Sequence, residues 1–322
     1  MDERAPLSRP APPVLLHIGY HKTGSRWLRS LFFGNAATGF GWVGKAGADH
    51  PVRQLVGARP LEFDPDESRA RFEPLLRRIV EAGLSPVVSF ERFSGNPFSG
   101  GYDSKEIADR LAQVFPDARV LAVVREQRSM IVSTYKQYVR EGGALPVRMF
   151  MRPPSSRSMR VPWFDFRHFE YHRLLEYYRR LFGEESVLAL PYEQFAADPR
   201  SFVKRIAAFA GRPLGEQALA SLAFGSRTNP GPPATAVEAR RWLNLIGVRS
   251  DLNPAPPLAS PLFWRLGKRI DRAALAPPQA VAREEAKLRR TVEEAVGDRY
   301  VDSNRRTAEL IGIDLASYGW TT

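Results

Sequence analysis

Short apolar runs of strand length alternate with helical patterns along the first two-thirds of the chain. The runs cover Val14–Ile18, Pro86–Phe90, Arg119–Val124 and Val187–Leu190. Between and after them, apolar residues recur at helical spacing over residues 27–32, 67–82, 104–115, 128–140, 165–182 and 202–210. Because strands that alternate with helices pack as a parallel sheet with right-handed crossovers, the pattern predicts an α/β fold. We expect a mostly parallel central sheet flanked by helices.

The remaining stretches are less regular. Residues 36–66 are interrupted by glycine and proline and give no clear element, and residues 225–262 are proline-rich and are expected to wrap the surface. Helical patterns return at 279–296 and 303–311. Because no internal repeat and no linker is evident, we expect a flexible leader over 1–13 and a single domain over 14–322.

Composition narrows the possible classes of protein. The 322 residues include no cysteine, which excludes disulfides, thiolate metal sites and a cysteine nucleophile. The five histidines show no metal-ligand spacing, so a metal enzyme is disfavoured. The net charge of +12 favours an anionic partner. Nucleic acid is disfavoured as that partner, because no basic run interleaved with aromatic residues and no common nucleic-acid motif is present.

The sequence predicts neither a membrane-spanning segment nor a signal peptide. No apolar stretch approaches the ~20 residues needed to cross a bilayer, and the N-terminal residues lack the apolar core of a signal peptide. We therefore expect a cytoplasmic protein without a transmembrane segment. The stretch Phe263–Ile270 is nevertheless basic and apolar enough to touch an anionic membrane surface.

A polar turn joins the first apolar run to the helix that follows it. The turn carries Lys22, Thr23, Gly24 and Ser25. Lysine supplies a mobile positive charge, the hydroxyls can donate to phosphate oxygens, and a helix N-terminus offers free N–H groups. The spacing is not that of a Walker A loop, which disfavours a magnesium-dependent nucleotidase or kinase. The residues alone leave both an anion site and an ordinary strand–helix turn open.

The stretch His17–Leu28 resembles the 5′-phosphosulfate loop of sulfotransferases that use PAPS (3′-phosphoadenosine 5′-phosphosulfate), particularly bacterial ones. The resemblance implies that Lys22 contacts the transferring sulfuryl group and the leaving phosphate. It also implies that Trp27 stacks on adenine, although a core role for this tryptophan stays open. Arg26 stands where the family usually has a second hydroxyl residue, and it could contribute only its backbone N–H group.

A second anion site is predicted at the end of the run Arg119–Val124. Ligands collect at the carboxyl ends of parallel strands, and the guanidinium of Arg125 there suits a phosphate. Arg125 and Ser133 lie eight positions apart, and this segment resembles the signature that holds the 3′-phosphate in sulfotransferases. A solvated arginine and an incidental serine are the alternative. The two segments occur in the same order as in the sulfotransferase family, and this order makes the resemblance of each segment more specific.

A third segment resembles the same enzymes. It begins with Val187–Phe195 and continues through Asp198-Pro199 and Phe209–Gly211. The family's tyrosine at the corresponding place lies near adenine, which implies that role for Tyr192. A half-buried aromatic residue at a strand end is the alternative interpretation.

Transfer to a hydroxyl also needs a group that removes a proton. Glu91 directly follows the run Pro86–Phe90, so it should project at the same sheet edge as Lys22 and Arg125. The stretch around Glu91 resembles the Phe-Glu-Lys-Ser stretch of heparan-type sulfotransferases, whose glutamate acts as the base. A salt bridge from Glu91 to Arg92 or Arg125 is the alternative. His21 is the second candidate base.

Taken together, the resemblance implies a P-loop-like three-layer fold and sulfuryl transfer from PAPS, with PAP as the product and without a metal. The sequence does not identify the acceptor. A saccharide is favoured because the stretch around Glu91 resembles that of heparan-type sulfotransferases. Two other classes stay open. One is a different nucleotide-dependent transferase or a small-molecule kinase, and the other is a catalytically silent protein that binds PAP or a membrane surface.

Overall fold

The computed structural model describes residues 12–44, 47, 49–152, 164–225, 231–271 and 276–322. Most of the predicted leader, residues 1–11, lies outside the described residues. No helix within the described ranges has both the length and the apolar character needed to cross a bilayer.

A parallel sheet forms the centre of the described structure. Its strands are β1 (Leu15–His17), β2 (Phe40–Trp42), β3 (Ser85–Ser89), β4 (Arg119–Val124) and β5 (Val187–Pro191). They lie in the order β2-β3-β1-β4-β5, and every pairing is parallel. The sheet flanked by helices confirms the predicted α/β fold.

Helices connect the strands and fill both faces of the sheet. In chain order they are α1 (Ser25–Trp27, continued by the π-helical turn Leu28–Phe32), α2 (Val52–Gly57), α3 (Pro65–Glu81), α4 (Ser104–Val114), α5 (Gln127–Arg140), α6 (Val147–Phe150), α7 (Tyr171–Phe182), α8 (Tyr192–Ala197), α9 (Pro199–Phe209), α10 (Glu216–Ala220), α11 (Ala234–Gly247), α12 (Pro261–Ile270), α13 (Pro278–Val296) and α14 (Val301–Ile311).

Alternating side chains of the central strands supply two hydrophobic cores. In β4, Val120 and Ala122 pack into the core beneath α4, α5 and α7, whereas Leu121 and Val123 pack into the core beneath α1 and α9. Because side chains of a strand alternate between the two faces, a strand covered on both sides is apolar at nearly every position. This is why the uninterrupted run 119–124 marks β4 so clearly.

The expectation for residues 225–262 was wrong in part. The described residues of that stretch include the helix α11, which packs on α5 and α13 instead of wrapping the surface as a loop. Its inward face carries the buried polar residues Arg240 and Asn244. The Asn244 side chain donates to the backbone oxygens of Val139 (2.6 Å) and Gly143 (2.9 Å) at the end of α5. A helix that buries polar groups lacks the apolar stripe that reveals most helices in a sequence.

Candidate active site

The strand order gathers the predicted site residues at one edge of the sheet. β1 lies between β3 and β4, so the loop after β1 is flanked by the segments that follow the other two strands. Lys22 lies in the first loop, and Glu91 and Arg125 directly follow β3 and β4. Tyr192 follows β5, the next strand beyond β4. The expectation that these side chains share an edge follows from the carboxyl ends of adjacent parallel strands.

The loop after β1 has a tightly curled backbone. Lys22 has a φ of 65° and Gly24 a φ of 81°, and both values lie in the left-handed region. Such a conformation costs a lysine about 1 kcal/mol or more, and it persists only where the surroundings enforce it. The Thr23 hydroxyl donates to the Tyr20 carbonyl oxygen at 2.6 Å. This hydrogen bond turns Thr23 towards the loop's own backbone.

Ser25 begins the helix after this loop. Its hydroxyl is buried and has no hydrogen-bond partner among the described residues. A buried hydroxyl without a partner costs free energy unless a ligand or water satisfies it. At a helix N-terminus, the preferred partner is an anion oxygen.

Arg125 ties two of the predicted motifs together. Its Nη1 donates to the carbonyl oxygen of Lys22 at 3.1 Å and to the Ser133 hydroxyl at 3.3 Å. Its guanidinium also lies over the Tyr192 ring, 5.1 Å from the ring centroid. Lys22, Arg125, Ser133 and Tyr192 therefore form one cluster. Arg125 is part-buried and engaged with its neighbours, unlike a solvated surface arginine.

Trp27 is part of the core in the described structure. It is buried, its indole N–H donates to the Ala223 carbonyl oxygen at 3.3 Å, and Phe224 stacks on its ring at 5.7 Å between centroids. An adenine that stacked on that face would have to displace Phe224. Arg26, the preceding residue, is exposed. Adenine stacking by Trp27 stays a prediction.

Glu91 forms an ion pair that the sequence did not reveal. Its carboxylate accepts a hydrogen bond from Arg29, which lies on the π-helical turn after α1. The two sequence-based alternatives were wrong, since Arg92 pairs with Asp103 at 3.0 Å and Arg125 bonds as described above. Burial alone would raise the pKa of Glu91, but the hydrogen bond and charge of Arg29 outweigh burial and lower the pKa to about 2. Glu91 is therefore ionised at neutral pH.

His21 lies beside Glu91 and is nearly buried. Burial lowers the pKa of His21 to about 4, although the Glu91 carboxylate acts in the opposite direction. The imidazole is neutral at pH 7 and can accept a proton. Burial also lowers the pKa of Lys22 to about 8, and the charge of Arg140 acts in the same direction. Lys22 stays mostly protonated at pH 7.

A cavity of about 570 Å³ lies between the start of α4 and the segment that includes α7. The segment 100–105 forms one wall, and the segment from Asp165 to Arg180 forms the other. Tyr20, which immediately precedes His21, reaches this cavity together with His168, Tyr102 and Tyr177. The lining mixes aromatic faces with charged groups, which suits a ligand that carries both apolar ring faces and polar substituents.

Acidification should destabilise the protein well above the pH at which its carboxylates titrate. Burial lowers the pKa of His17 to about 3 and those of His21 and His168 to about 4. Because the unfolded chain binds these protons near pH 6.5, stability is fully present above that pH and is lost as pH falls towards the folded values. Each histidine contributes a slope of about 1.4 kcal/mol per pH unit within the window.

Thermal melting between pH 7 and pH 4.5 checks this expectation. His168 packs against Tyr20 and Phe169 and forms no side-chain hydrogen bond among the described residues, so His168→Phe removes one titrating group with little other change. This variant should show a shallower pH dependence than the unmodified protein. A melting temperature that stays constant from pH 6.5 to pH 5 would contradict the prediction.

Residues 104–216 match the sequence profile of the Sulfotransferase family. The matched range runs from α4 to the start of α10, so it includes Arg125, Ser133 and Tyr192 but not Lys22 or Glu91. Mouse (Mus musculus) Sulfotransferase 2B1 is 32% identical over 110 residues, which are 33% of this chain and 30% of the relative. The chain thus matches under a third of that relative's length. Both matches support the sulfotransferase family.

A solved structure of similar fold covers almost the whole chain. The crystal structure of a sulfotransferase from Alicyclobacillus acidocaldarius superimposes with a TM-score of 0.54 at 16% identity. The overlap covers 97% of this chain and 100% of the other. The likeness confirms the predicted P-loop-like three-layer fold.

Proposed function

We propose that this protein transfers a sulfuryl group from PAPS to an acceptor hydroxyl or amine and releases PAP. One observation carries the proposal. Arg125 donates to both Lys22 O and Ser133 Oγ, so two segments that resemble the donor-binding signatures of sulfotransferases meet in a single cluster. The family match over residues 104–216, which include Arg125 and Ser133, supports the same assignment.

The residues present fit a phosphosulfate donor. Lys22 supplies positive charge in a loop that leads into a helix N-terminus, and the unpartnered Ser25 hydroxyl offers a donor for a phosphate oxygen. At the other end, Arg125 and Ser133 are close enough to share one phosphate. Both groups donate hydrogen bonds, which matches the acceptor-only oxygens of a 3′-phosphate.

In the proposed reaction the acceptor oxygen or nitrogen attacks sulfur, the bond from sulfur to the phosphate oxygen breaks, and PAP leaves. Lys22 stabilises the negative charge that develops on the departing phosphate. Glu91, which is ionised at neutral pH, takes the proton that the acceptor loses. Its low pKa makes it a weak base while Arg29 is paired with it. His21 is the second candidate for this role because it is neutral at pH 7, although burial lowers its own pKa to about 4.

We place the acceptor in the cavity beside Tyr20 and favour a saccharide. Sugars present apolar ring faces to aromatic residues and hydroxyls to polar ones, and the cavity offers both through Tyr102, Tyr177 and the charged groups of its walls. His168, which lines the cavity, is close enough to His21 for the two charges to interact, so an acceptor bound there would lie near the candidate bases. A screen of saccharide pools with radiolabelled PAPS tests this choice.

Arg125→Ala should weaken PAP binding by roughly 1.5–3 kcal/mol, the usual range for a hydrogen bond to a charged group. The unmodified protein should prefer PAP to AMP strongly and without added metal, because only PAP carries a 3′-phosphate. Calorimetry with both nucleotides in the presence of EDTA measures the effect.

The neighbouring Arg128→Ala serves as the matched control for Arg125→Ala, since Arg128 lies on the surface and bonds only weakly to Gly297 O at 3.4 Å. Its PAP affinity should stay near that of the unmodified protein. If Arg125→Ala weakened PAP and AMP equally, Arg125 would be a structural residue of the loop and the 3′-phosphate assignment would be wrong.

A further inference from the structure

A helical hairpin at the surface carries most of the exposed large apolar side chains of the described chain. The hairpin consists of α11, α12 and the connection between them. Six of the nine large apolar residues that are exposed in the described ranges belong to it, namely Trp242, Leu245, Ile246, Leu258, Leu262 and Leu266. Their exposed fractions run from 44% to 68%. Scattered exposed leucines are ordinary, but such a concentration marks an interaction surface.

The two helices pack against each other through a different set of residues. A Cβ on Gly247 would lie 2.3 Å from the Phe263 ring, and one on Gly267 would lie 1.5 Å from Arg240. The glycines therefore allow close contact along an antiparallel pair. The amide of Leu258 donates to Ile246 O at 2.9 Å, which holds the connection beside the end of α11. The inner side of the hairpin is thus already packed.

The exposed residues lie on the outer side. Trp242 and Ile246 are four residues apart on α11, and Leu262 and Leu266 are four residues apart on α12. Residues at this spacing share one face of a helix. Each helix therefore presents an apolar stripe outwards in addition to the contacts it makes within the protein.

Basic residues surround this apolar surface. Arg249, Arg265, Lys268 and Arg269 are exposed, and no carboxylate of the described residues lies within ion-pair distance of any of them. Asp251 is the one acidic residue between Trp242 and Ile270. Unpaired cations beside exposed leucines and a tryptophan are the composition of helices that lie in a membrane interface.

We propose that the α11–α12 hairpin docks onto a lipid bilayer that contains anionic headgroups. The leucines and Trp242 enter the boundary between headgroups and acyl chains, and the four cations contact the anionic headgroups. A second copy of the chain is a poorer occupant. A symmetric dimer through this surface would bring the same unpaired cations towards each other. The proposal concerns binding alone and does not depend on the transfer activity.

Vesicle sedimentation tests the proposal. The full chain, without nucleotide, is mixed with vesicles of phosphatidylcholine alone or with about 30% phosphatidylserine. We expect binding to the anionic vesicles only, and weaker binding at higher salt. Leu262→Ser combined with Leu266→Ser should lower the partition coefficient about ten-fold or more. Arg265→Glu combined with Lys268→Glu should lower it about twenty-five-fold or more, at roughly five-fold for each cation removed.

Matched control changes are available on the turn Pro60–Glu62. Leu61 on this turn is fully exposed, and Arg59, which precedes the turn, is largely exposed. Leu61→Ser and Arg59→Glu therefore each make one substitution of the same kind outside the hairpin and should leave binding unchanged. Equal sedimentation of hairpin and control variants would overturn the proposal, as would failure of the unmodified protein to bind anionic vesicles. Light scattering tests whether a second copy of the chain binds the hairpin instead of lipid. A dimer that Leu262→Ser with Leu266→Ser dissociates, without vesicle binding, would assign the surface to a second copy and overturn docking to lipid.

Discussion

Glu91→Gln should lower the turnover of sulfuryl transfer by about 100-fold or more. Glutamine keeps the size of the side chain and one hydrogen-bonding oxygen, but it cannot take a proton from the acceptor. PAP affinity should stay near that of the unmodified protein, because Glu91 follows β3 whereas the predicted 3′-phosphate contacts follow β4. The measurement is the transfer rate at saturating PAPS together with PAP affinity by calorimetry.

The ion pair with Arg29 makes a structural control necessary for this variant. Glu91→Gln leaves Arg29 without its carboxylate partner, and part of any loss could reflect stability. Glu106→Gln makes the same change in another ion pair, since Glu106 is partnered by the buried Arg110 outside the site. It should lower stability without lowering turnover at a temperature where both variants are folded. If Glu91→Gln retained most of its turnover, Glu91 would not be the base, and His21→Gln would be the next variant to measure.

Lys22→Ala should lower both the turnover and the affinity for the donor. Loss of a preorganised group that stabilises charge in the transition state typically lowers turnover by about 100- to 1000-fold. PAP and PAPS should also bind more weakly, because the same ammonium group faces the donor in the ground state. The pKa of about 8 adds a second signature. The kcat/KM of the unmodified protein for PAPS should fall as pH rises through this value, because Lys22 of the free protein then loses its charge.

Arg26→Ala is the matched control for Lys22→Ala. Arg26 belongs to the same loop–helix junction and is exposed, and it should contribute through its backbone alone. Its removal should leave turnover and PAP affinity within about three-fold of the unmodified protein, the effect expected of a surface substitution. A Lys22→Ala protein with normal PAP affinity and normal turnover would remove Lys22 from the site.

Uninterrupted apolar runs predicted the strands well where helices cover both faces of the sheet. The run Arg119–Val124 coincides with β4. The order of the strands, however, depends on which helices cover which face, and no local pattern encodes that. The helix α11 escaped prediction because the inward residues Arg240 and Asn244 are polar, so its sequence lacks a clean apolar stripe.

The candidate site was predictable in the part that depends on motif spacing. Arg125 and Ser133 are eight residues apart and hydrogen-bonded to each other, while their contact with a 3′-phosphate stays a prediction. The backbone of Lys22 joins them because β1 and β4 are neighbours. The Arg29–Glu91 pair was not predictable, since the two residues are 62 positions apart and belong to different motifs. The sequence suggests as partners of Glu91 only cations that are adjacent to it or that belong to the resembling motifs. Arg29 stands four residues after Ser25, one helical turn beyond the predicted anion loop, and this spacing is the signal that could have placed it near the site.

The position of β1 has a consequence for biosynthesis. This strand is central in the sheet, yet its partners come later in the chain, with Leu15 beside Val87 in β3 and beside Arg119 in β4. At a synthesis rate of ~5–20 residues per second, the apolar β1 waits roughly 5–20 s before β4 has been made. Such long-range parallel pairing is slow and leaves apolar surface open to aggregation. The nascent chain should therefore depend most on chaperones during this interval, and a translation pause once β4 has emerged from the ribosome would favour closure of the sheet.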